Sequence, residues 1–394
     1  MILAESLGRL GTETAFDVLA RAQKLKDSGR NIINLGIGQP DFPTPDNIVE
    51  AAARALKDGH HGYTPANGIL PLREAVAADM AERRGVEIDP ERIVIVPGGK
   101  VTMYFAITMF GEAGVEIMYP DPGFPIYRSV IEFSGAKAVP IPLHEENGFS
   151  FSAEEVLAKI TDRTRLIIVN SPANPTGGVV PKAELDRLVA GLGDHPAVAI
   201  MSDEIYARMV YDGLPHASLT AYPEIADRLI LLDGWSKTYA MTGWRLGWSV
   251  WPKDLAPVAT RLAINIHSCV NAATQYAGIE ALTGPQDAVQ RMVAAFDERR
   301  AIIVERLNAL PGFRCQRPGG AFYAFPNIEE TGRSAGDLQE RLLTEAGVAV
   351  IAGTSFGHQG EGYLRFSYAN SIDNIERAVE RIGASLASLS GQLD

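Results

Sequence analysis

A lysine set among aromatic side chains is the first place where this sequence offers chemistry. The stretch Gly234-Trp-Ser236-Lys237-Thr-Tyr-Ala-Met-Thr-Gly-Trp-Arg245 follows an apolar run, and Trp235, Tyr239, Met241 and Trp244 frame its two cations. Desolvation disfavours an ammonium, so Lys237 is placed to lose its proton and add to a carbonyl as an imine, while Arg245 can hold a phosphate eight residues on. Taken singly, either cation also reads as a solvated surface charge. Asp203 ends a second apolar run, Ala197 to Met201, with the phenol of Tyr206 three residues later. A carboxylate at that depth needs a cationic partner, and a ligand with a protonated nitrogen would supply it. A structural ion pair or a helix cap would serve the same residue. Arg365 sits inside the otherwise apolar Tyr363-Leu-Arg365-Phe-Ser, where a guanidinium suits either bidentate carboxylate binding or an internal salt bridge.

Two glycine-rich turns add anion chemistry. Val96-Pro97-Gly98-Gly99-Lys100 follows a strand-like run and opens an apolar helix, so its backbone N–H groups can approach a phosphate closely; it also suits an ordinary turn. Ser171-Pro-Ala-Asn174-Pro-Thr-Gly-Gly178 follows another apolar run, and Asn174 there offers an amide donor to a ligand oxygen. Gly36-Ile-Gly38 does not continue into a dinucleotide-binding fingerprint, because Asp41 stands where the third glycine belongs.

These residues need a scaffold, and the middle of the chain predicts one. Arg92–Pro97, Val115–Tyr119, Arg165–Asn170, Ala197–Ser202 and Arg228–Asp233 are short continuous apolar runs, as expected of strands covered on both faces. Helical patterns at Val101–Phe110, Ile126–Phe133 and Ala183–Leu192 connect them, which predicts an α/β fold with a mostly parallel sheet between helices. After about Pro285 the pattern changes to a long charged helix, Asp287 to Leu310, short strands near Phe313–Gln316 and Ala321–Phe325, and a final helix from Ile372 to Leu386. The expected division is a large domain over 46–285 and a smaller α+β domain built from 1–45, with a helix at Phe16 to Asp27, and 286–394.

Composition narrows the partners. With 48 acidic against 36 basic side chains the chain carries a formal charge of −12, which disfavours nucleic acid and anionic lipid and points to small molecules and protein subunits. Cys269 and Cys315 form neither a disulfide framework nor a zinc pattern, and the start of the chain lacks the order of a signal peptide, so a reducing, cytoplasmic setting is expected. The longest charge-free stretch, Leu262 to Ile279, holds too many polar groups to span a membrane. His60, His61 and His267 lack metal-ligand spacing, and no metal is expected.

Together the motifs resemble the class I/II aminotransferases of pyridoxal phosphate (PLP) fold type I, in the branch of bacterial aspartate, aromatic and alanine aminotransferases. The likeness runs over nearly the whole chain: Gly38-Gln-Pro-Asp-Phe, Tyr63-Thr-Pro-Ala-Asn-Gly, Gly98-Gly-Lys, Pro122-Gly-Phe124, Asn174-Pro-Thr-Gly, Ser202-Asp-Glu-Ile-Tyr206, Ser236-Lys237, Gly243-Trp-Arg245 and Arg365. The resemblance implies that Lys237 binds PLP covalently and shuttles the substrate proton, while Asp203 keeps the ring nitrogen protonated. It further implies that Tyr206 and Asn174 hydrogen-bond the ring oxygen, that Phe124 stacks on the ring, and that Gly99, Lys100, Ser236 and Arg245 bind the phosphate, joined by Tyr63 of a second subunit in a homodimer. Arg365, beside Gly38 and Asn174, would hold the substrate α-carboxylate. The implied reaction is amino transfer between an α-amino acid and a 2-oxo acid such as 2-oxoglutarate. Acidic substrates are favoured over alanine or aromatic ones, because Lys100 is available to a distal carboxylate and Thr14 to assist it. Two departures bear on substrate preference rather than on cofactor binding: Phe124 stands where some relatives have Trp, and Gly234 where other relatives place a phosphate-binding serine. Ala15 follows Thr14 where acidic-substrate relatives have a second hydroxyl. The same fold also carries PLP lyases and decarboxylases, and non-catalytic PLP-binding regulators. For the last, 45 residues ahead of the large domain are too few for a DNA-binding domain. Asn265 and His267 fall in a segment that shapes the pocket in relatives.

Overall fold

A computed structural model describes residues 1–390. Twelve strands are defined: β1 (Ile33–Asn34), β2 (Ile93–Val96), β3 (Glu116–Asp121), β4 (Lys137–Pro142), β5 (Thr164–Asn170), β6 (Ala199–Asp203), β7 (Leu229–Gly234), β8 (Gly247–Val250), β9 (Tyr323–Ala324), β10 (Val348–Ala349), β11 (Ile351–Ala352) and β12 (Leu364–Ser367). Seven make one sheet in the order β2-β8-β7-β6-β5-β3-β4. β8 runs antiparallel to both neighbours, and the pairings from β7 through β4 are all parallel. Every residue of β2, β6, β7 and β8 is buried, which is why these runs read as continuous rather than alternating apolar sequence.

Parallel pairing brings the carboxyl ends of β5, β6 and β7 to one edge. Asn170 pairs with Asp203 in register, and Gly234 lies at the end of the next strand. Ligands of open α/β sheets gather at that edge. Helices close both faces, among them Lys100–Phe110, Ile126–Ser134 and Lys182–Gly191, with separate apolar layers on the two sides.

The remaining strands form two small sheets, β1-β10 and β11-β12-β9, the second carrying Arg365 at its centre. The expected strand at Phe313–Gln316 is only a single bridge, Arg314 to Asn327. The helices Asp287–Asn308 and Thr14–Asp27 are present, the second two residues longer at its start than the apolar pattern alone implied. Among the described residues no helix is long and apolar enough to cross a membrane.

Candidate active site

A cavity of about 580 Å³ lies at this sheet edge, between the large sheet, the start of the chain and the β12 region. Gly38, Gly99, Lys100, Phe124, Asn174, Asp203, Tyr206, Ser236, Lys237, Arg245 and Arg365 all line it. Eleven residues drawn from positions 38 to 365 thus converge, most from the parallel sheet edge and its crossovers, Gly38 from the start of the chain and Arg365 from the small antiparallel sheet.

Asp203 ends β6 and is 2% exposed. Its Oδ2 accepts a 2.6 Å bond from the Tyr127 hydroxyl and its Oδ1 a 3.2 Å bond from the Ile205 N–H. Burial raises its carboxyl to about 6, with Asp233 and Glu204 adding repulsion and the Tyr127 bond opposing it. Other buried acids are treated differently. Arg84 pairs with both Glu204 and Asp233, and Arg83 and Arg208 share Asp79. Among the described residues no ion pair reaches Asp203, so a protonated ring nitrogen is the kind of partner its surroundings lack. Asn170 sets the local geometry: its Oδ1 accepts the Asn174 N–H at 3.0 Å and its Nδ2 donates to the Asp203 carbonyl at 3.0 Å.

Lys237 follows the turn after β7. Its Nζ donates to the Gly38 carbonyl at 2.5 Å and lies within 6 Å of the Tyr206 and Phe322 rings, at 5.9 and 5.8 Å from their centroids. The residue opens into the cavity, yet burial is the chief cause that lowers its ammonium to about 8; Arg365, Arg245 and Lys100 push the same way and Glu13 opposes them. The fold thus desolvates this lysine and sets three cations beside it.

Arg365 is 4% exposed on β12. Its Nη1 donates to Asn174 Oδ1 at 2.9 Å and its Nη2 to the Gly36 carbonyl at 2.6 Å, two residues before the expected Gly38. Among the described residues Nε has no hydrogen-bond partner, and the guanidinium lies 4.7 Å from the Tyr323 ring and 4.6 Å from Phe356. A buried guanidinium with a free N–H and no carboxylate is set for an anionic ligand rather than for a salt bridge.

Arg245 donates to the Thr242 and Pro97 carbonyls and leans on Gly98, where an added Cβ would stand 2.1 Å from its Nη2. Only glycine, at φ +92°, lets the guanidinium and the backbone N–H groups share that corner.

Three sequence expectations, for Tyr206, Thr14 and Lys100, meet a different local arrangement. The Tyr206 hydroxyl bonds to the Tyr323 hydroxyl at 2.7 Å. Asn174 accepts from Arg365 through Oδ1, which leaves its Nδ2 for the donor role expected of it. Tyr63, expected from a second subunit, is 92% exposed. Thr14 turns its hydroxyl to Ser355 at 2.6 Å, while its neighbours Glu13 and Ala15 line the cavity. Lys100 is not free, for Glu13 pairs with it. Tyr127, Tyr323, Asn170 and Glu13 were absent from the sequence reading. Tyr127 alone carried a signal, three residues after Phe124 in the same turn.

Pyridoxal phosphate fits this donor set. A buried carboxylate without a cation, a lysine lowered toward neutrality, an aromatic wall at Phe124 and an arginine against a glycine turn match its pyridine nitrogen, aldehyde, ring and phosphate respectively.

Known proteins agree. The profile of the family Aminotransferase class I and II matches residues 30–382. The aspartate aminotransferase of Pyrococcus horikoshii is 42% identical over 372 residues, covering 94% of this chain and 93% of that protein. The aromatic-amino-acid aminotransferase 2 of Thermococcus litoralis is 38% identical over 354 residues, 89% and 90% of the two chains. The crystal structure of the aspartate aminotransferase from Rhizobium meliloti superposes with a TM-score of 0.94 at 32% identity, covering 98% of this chain and 99% of that one. With a match of this extent laid over a cavity of this chemistry, the chain belongs to the class I and II aminotransferases and is a pyridoxal-phosphate-dependent transaminase.

Proposed function

We propose that this aminotransferase moves an amino group between a dicarboxylic α-amino acid, of aspartate or glutamate type, and a 2-oxo acid, working as a cytoplasmic homodimer. The single observation that carries the substrate reading is the pair of cations in one cavity, Arg365 with an unpartnered Nε and Lys100 on the helix that follows the glycine turn. An α-carboxylate on the first leaves the second, once Glu13 releases it, for a distal carboxylate, and the relatives named aspartate aminotransferase support this.

PLP, when bound, supplies an aldehyde for the amino group and a ring that accepts electrons. The chain's own residues do the rest. Asp203, fixed by Tyr127, holds a proton on the ring nitrogen. Lys237 Nζ takes the proton from the substrate Cα, a service worth roughly 100- to 10,000-fold for a positioned base. Arg365, held by Asn174 and Gly36, orients the α-carboxylate so that the Cα proton faces Lys237. Ser236, Arg245 and the Gly99 and Lys100 N–H groups retain the phosphate, with Tyr206 and Asn174 at the ring oxygen and Phe124 on the ring face.

Support for the homodimer comes from the exposed apolar side chains Tyr63, Leu70, Ile264 and Ile266, together with His267, whose two ring nitrogens are buried with no hydrogen-bond partner among the described residues. A second substrate reading, uncharged or aromatic donors, is favoured by the apolar walls Phe16, Leu19, Phe124 and Phe356 and by the Thermococcus relative.

The test mixes the PLP form with single amino acids and follows the loss of the bound cofactor's visible absorbance. Faster reaction with aspartate or glutamate than with alanine or phenylalanine is the expected outcome, and equal or better reaction with the latter pair overturns the substrate reading. Lys237→Ala abolishes turnover in the same assay; a variant that kept near-normal transfer would remove Lys237 from its role.

A further inference from the structure

The helix Thr14–Asp27 starts on a residue whose side chain is turned away from it. Glu13 stands at the N-cap with extended backbone, φ −93° and ψ 101°, and its carbonyl accepts the Phe16 N–H, yet its carboxylate accepts no N–H of the first turn. A carboxylate there ordinarily gains from the free N–H groups and the helix dipole. Glu13 forgoes that and reaches into the cavity, where it pairs with Lys100. Its side chain is 12% exposed, against 43% for Lys100, so the carboxylate is the better shielded of the two.

The charges of the cavity make this pair stand out. Lys100, Lys237, Arg245 and Arg365 line it, and the carboxylates are Glu13 and Asp203. On the proposed function, Arg245 takes the phosphate, Arg365 the α-carboxylate and Asp203 the ring nitrogen, which leaves Lys100 and Glu13 to each other. A substrate with an uncharged side chain then meets a neutral corner. A dicarboxylic substrate brings a second carboxylate to a cation that already has one. The corner's walls suit an uncharged group, since the rings of Phe16 and Phe124 each lie 5.5 Å from Lys100 Nζ. Glu13 is also felt beyond its partner, because it favours the charged forms of both Lys237 and Arg365.

We propose that Glu13 is a specificity-determining residue, a built-in counter-ion that competes with the distal carboxylate of a dicarboxylic substrate for Lys100. Substrates with uncharged side chains bind with the ion pair intact, and dicarboxylic ones bind only when Glu13 is turned out. The proposal rests on the substrate geometry above, with Arg365 on the α-carboxylate and Lys100 at the side chain.

The test compares PLP-loaded wild type, Glu13→Gln, Lys100→Met and the double variant. Calorimetry gives Kd for maleate, a dicarboxylate that does not react, and for 3-phenylpropionate, a monocarboxylate with an uncharged side chain. Kinetics give the ratio of kcat/KM for aspartate over phenylalanine. Removing a like charge beside a partly exposed site is expected to tighten maleate about tenfold in Glu13→Gln and to raise the kinetic ratio by a similar factor, with the Kd for 3-phenylpropionate changed by less than about threefold. Because Glu13 acts through Lys100, the double variant should match Lys100→Met. The proposal is overturned if Glu13→Gln leaves the maleate to 3-phenylpropionate ratio within about twofold of wild type, or weakens maleate. Wild type that transferred no amino group from any donor would sink the transaminase reading through the kinetics alone, leaving the calorimetric ratio to judge Glu13 separately.

Discussion

On the proposed function Lys237 is the residue on which the chemistry turns, and its titration is open to direct measurement. Burial and three neighbouring cations lower its ammonium to about 8. The charged form therefore persists below that pH and the reactive amine above it. At pH 7 about a tenth is free amine, whereas an ordinary lysine near 10.4 would be under about a thousandth. Capture of PLP by the cofactor-free protein should accordingly speed up about tenfold per pH unit at low pH and level off near 8. Stopped-flow absorbance across pH 6 to 10, where a rise continuing past about 10 would show an unshifted lysine, checks this. At this scale the sequence was most legible, because chemistry-bearing residues stand beside their own glycines, prolines and aromatics: Lys237 within its Trp and Tyr frame, Asp203 ahead of Tyr206. What stayed hidden are pairs made by the fold across long separations. Glu13 meets Lys100 from 87 positions away and Tyr127 meets Asp203 from 76, and no local pattern marks either encounter.

Elements were legible where burial is continuous and obscure where it is not. β5, β6 and β7 announce themselves because both faces are covered. β4 sits at the sheet edge with Pro140 and Pro142 in its run and an exposed Lys137, so it lacks both the apolar continuity of a central strand and a clean alternation. β8 begins with a glycine and mixes Trp248 with Ser249, and its antiparallel direction could not be read before β7 and β2 were seen on either side of it. The expected strand at Phe313–Gln316 dissolved into one bridge, since its partner segment supplies only Asn327. The turn joining β2 to the helix Lys100–Phe110 is the element that most directly serves the site. Gly98 there has φ +92°, and a Cβ would meet the Arg245 guanidinium at 2.1 and 2.7 Å. Gly98→Ala must either strain the turn, by about 1 to 3 kcal/mol, or expel Arg245. Since charge-assisted hydrogen bonds contribute about 1.5 to 3 kcal/mol, the dissociation constant for PLP should rise by roughly tenfold or more. Equilibrium dialysis reads the affinity and thermal unfolding the strain; an unchanged PLP affinity would separate Arg245 from the phosphate.

For the whole molecule, the acidic total of −12 and the cationic cavity belong together. The negative exterior leaves four cations concentrated at one sheet edge, where a phosphate and carboxylates are drawn in. On the proposed homodimer, the site's last expected member comes from above the single chain. Tyr63 extends 92% exposed from a loop anchored at its far side, where Gln275 Nε2 donates to Thr64 Oγ1 at 2.9 Å and the Ile95 N–H donates to the Asn67 carbonyl at 3.1 Å. The loop is held, yet among the described residues no hydrogen bond reaches the phenol. In the proposed homodimer a twofold axis would make the contact reciprocal, so that each Tyr63 completes the other subunit's phosphate corner. This predicts complementation. Lys237→Ala and Tyr63→Ala chains are inactive or weak alone, but a mixed dimer holds one site with native Lys237 from the second chain and native Tyr63 from the first. Random mixing makes about half of the dimers mixed, so an equimolar refolded mixture should recover roughly a quarter of wild-type activity. Recovery no greater than the mean of the two separate variants would mean that each site is complete within one chain, and the phenol of Tyr63 would then have to be assigned to the surface it now adorns.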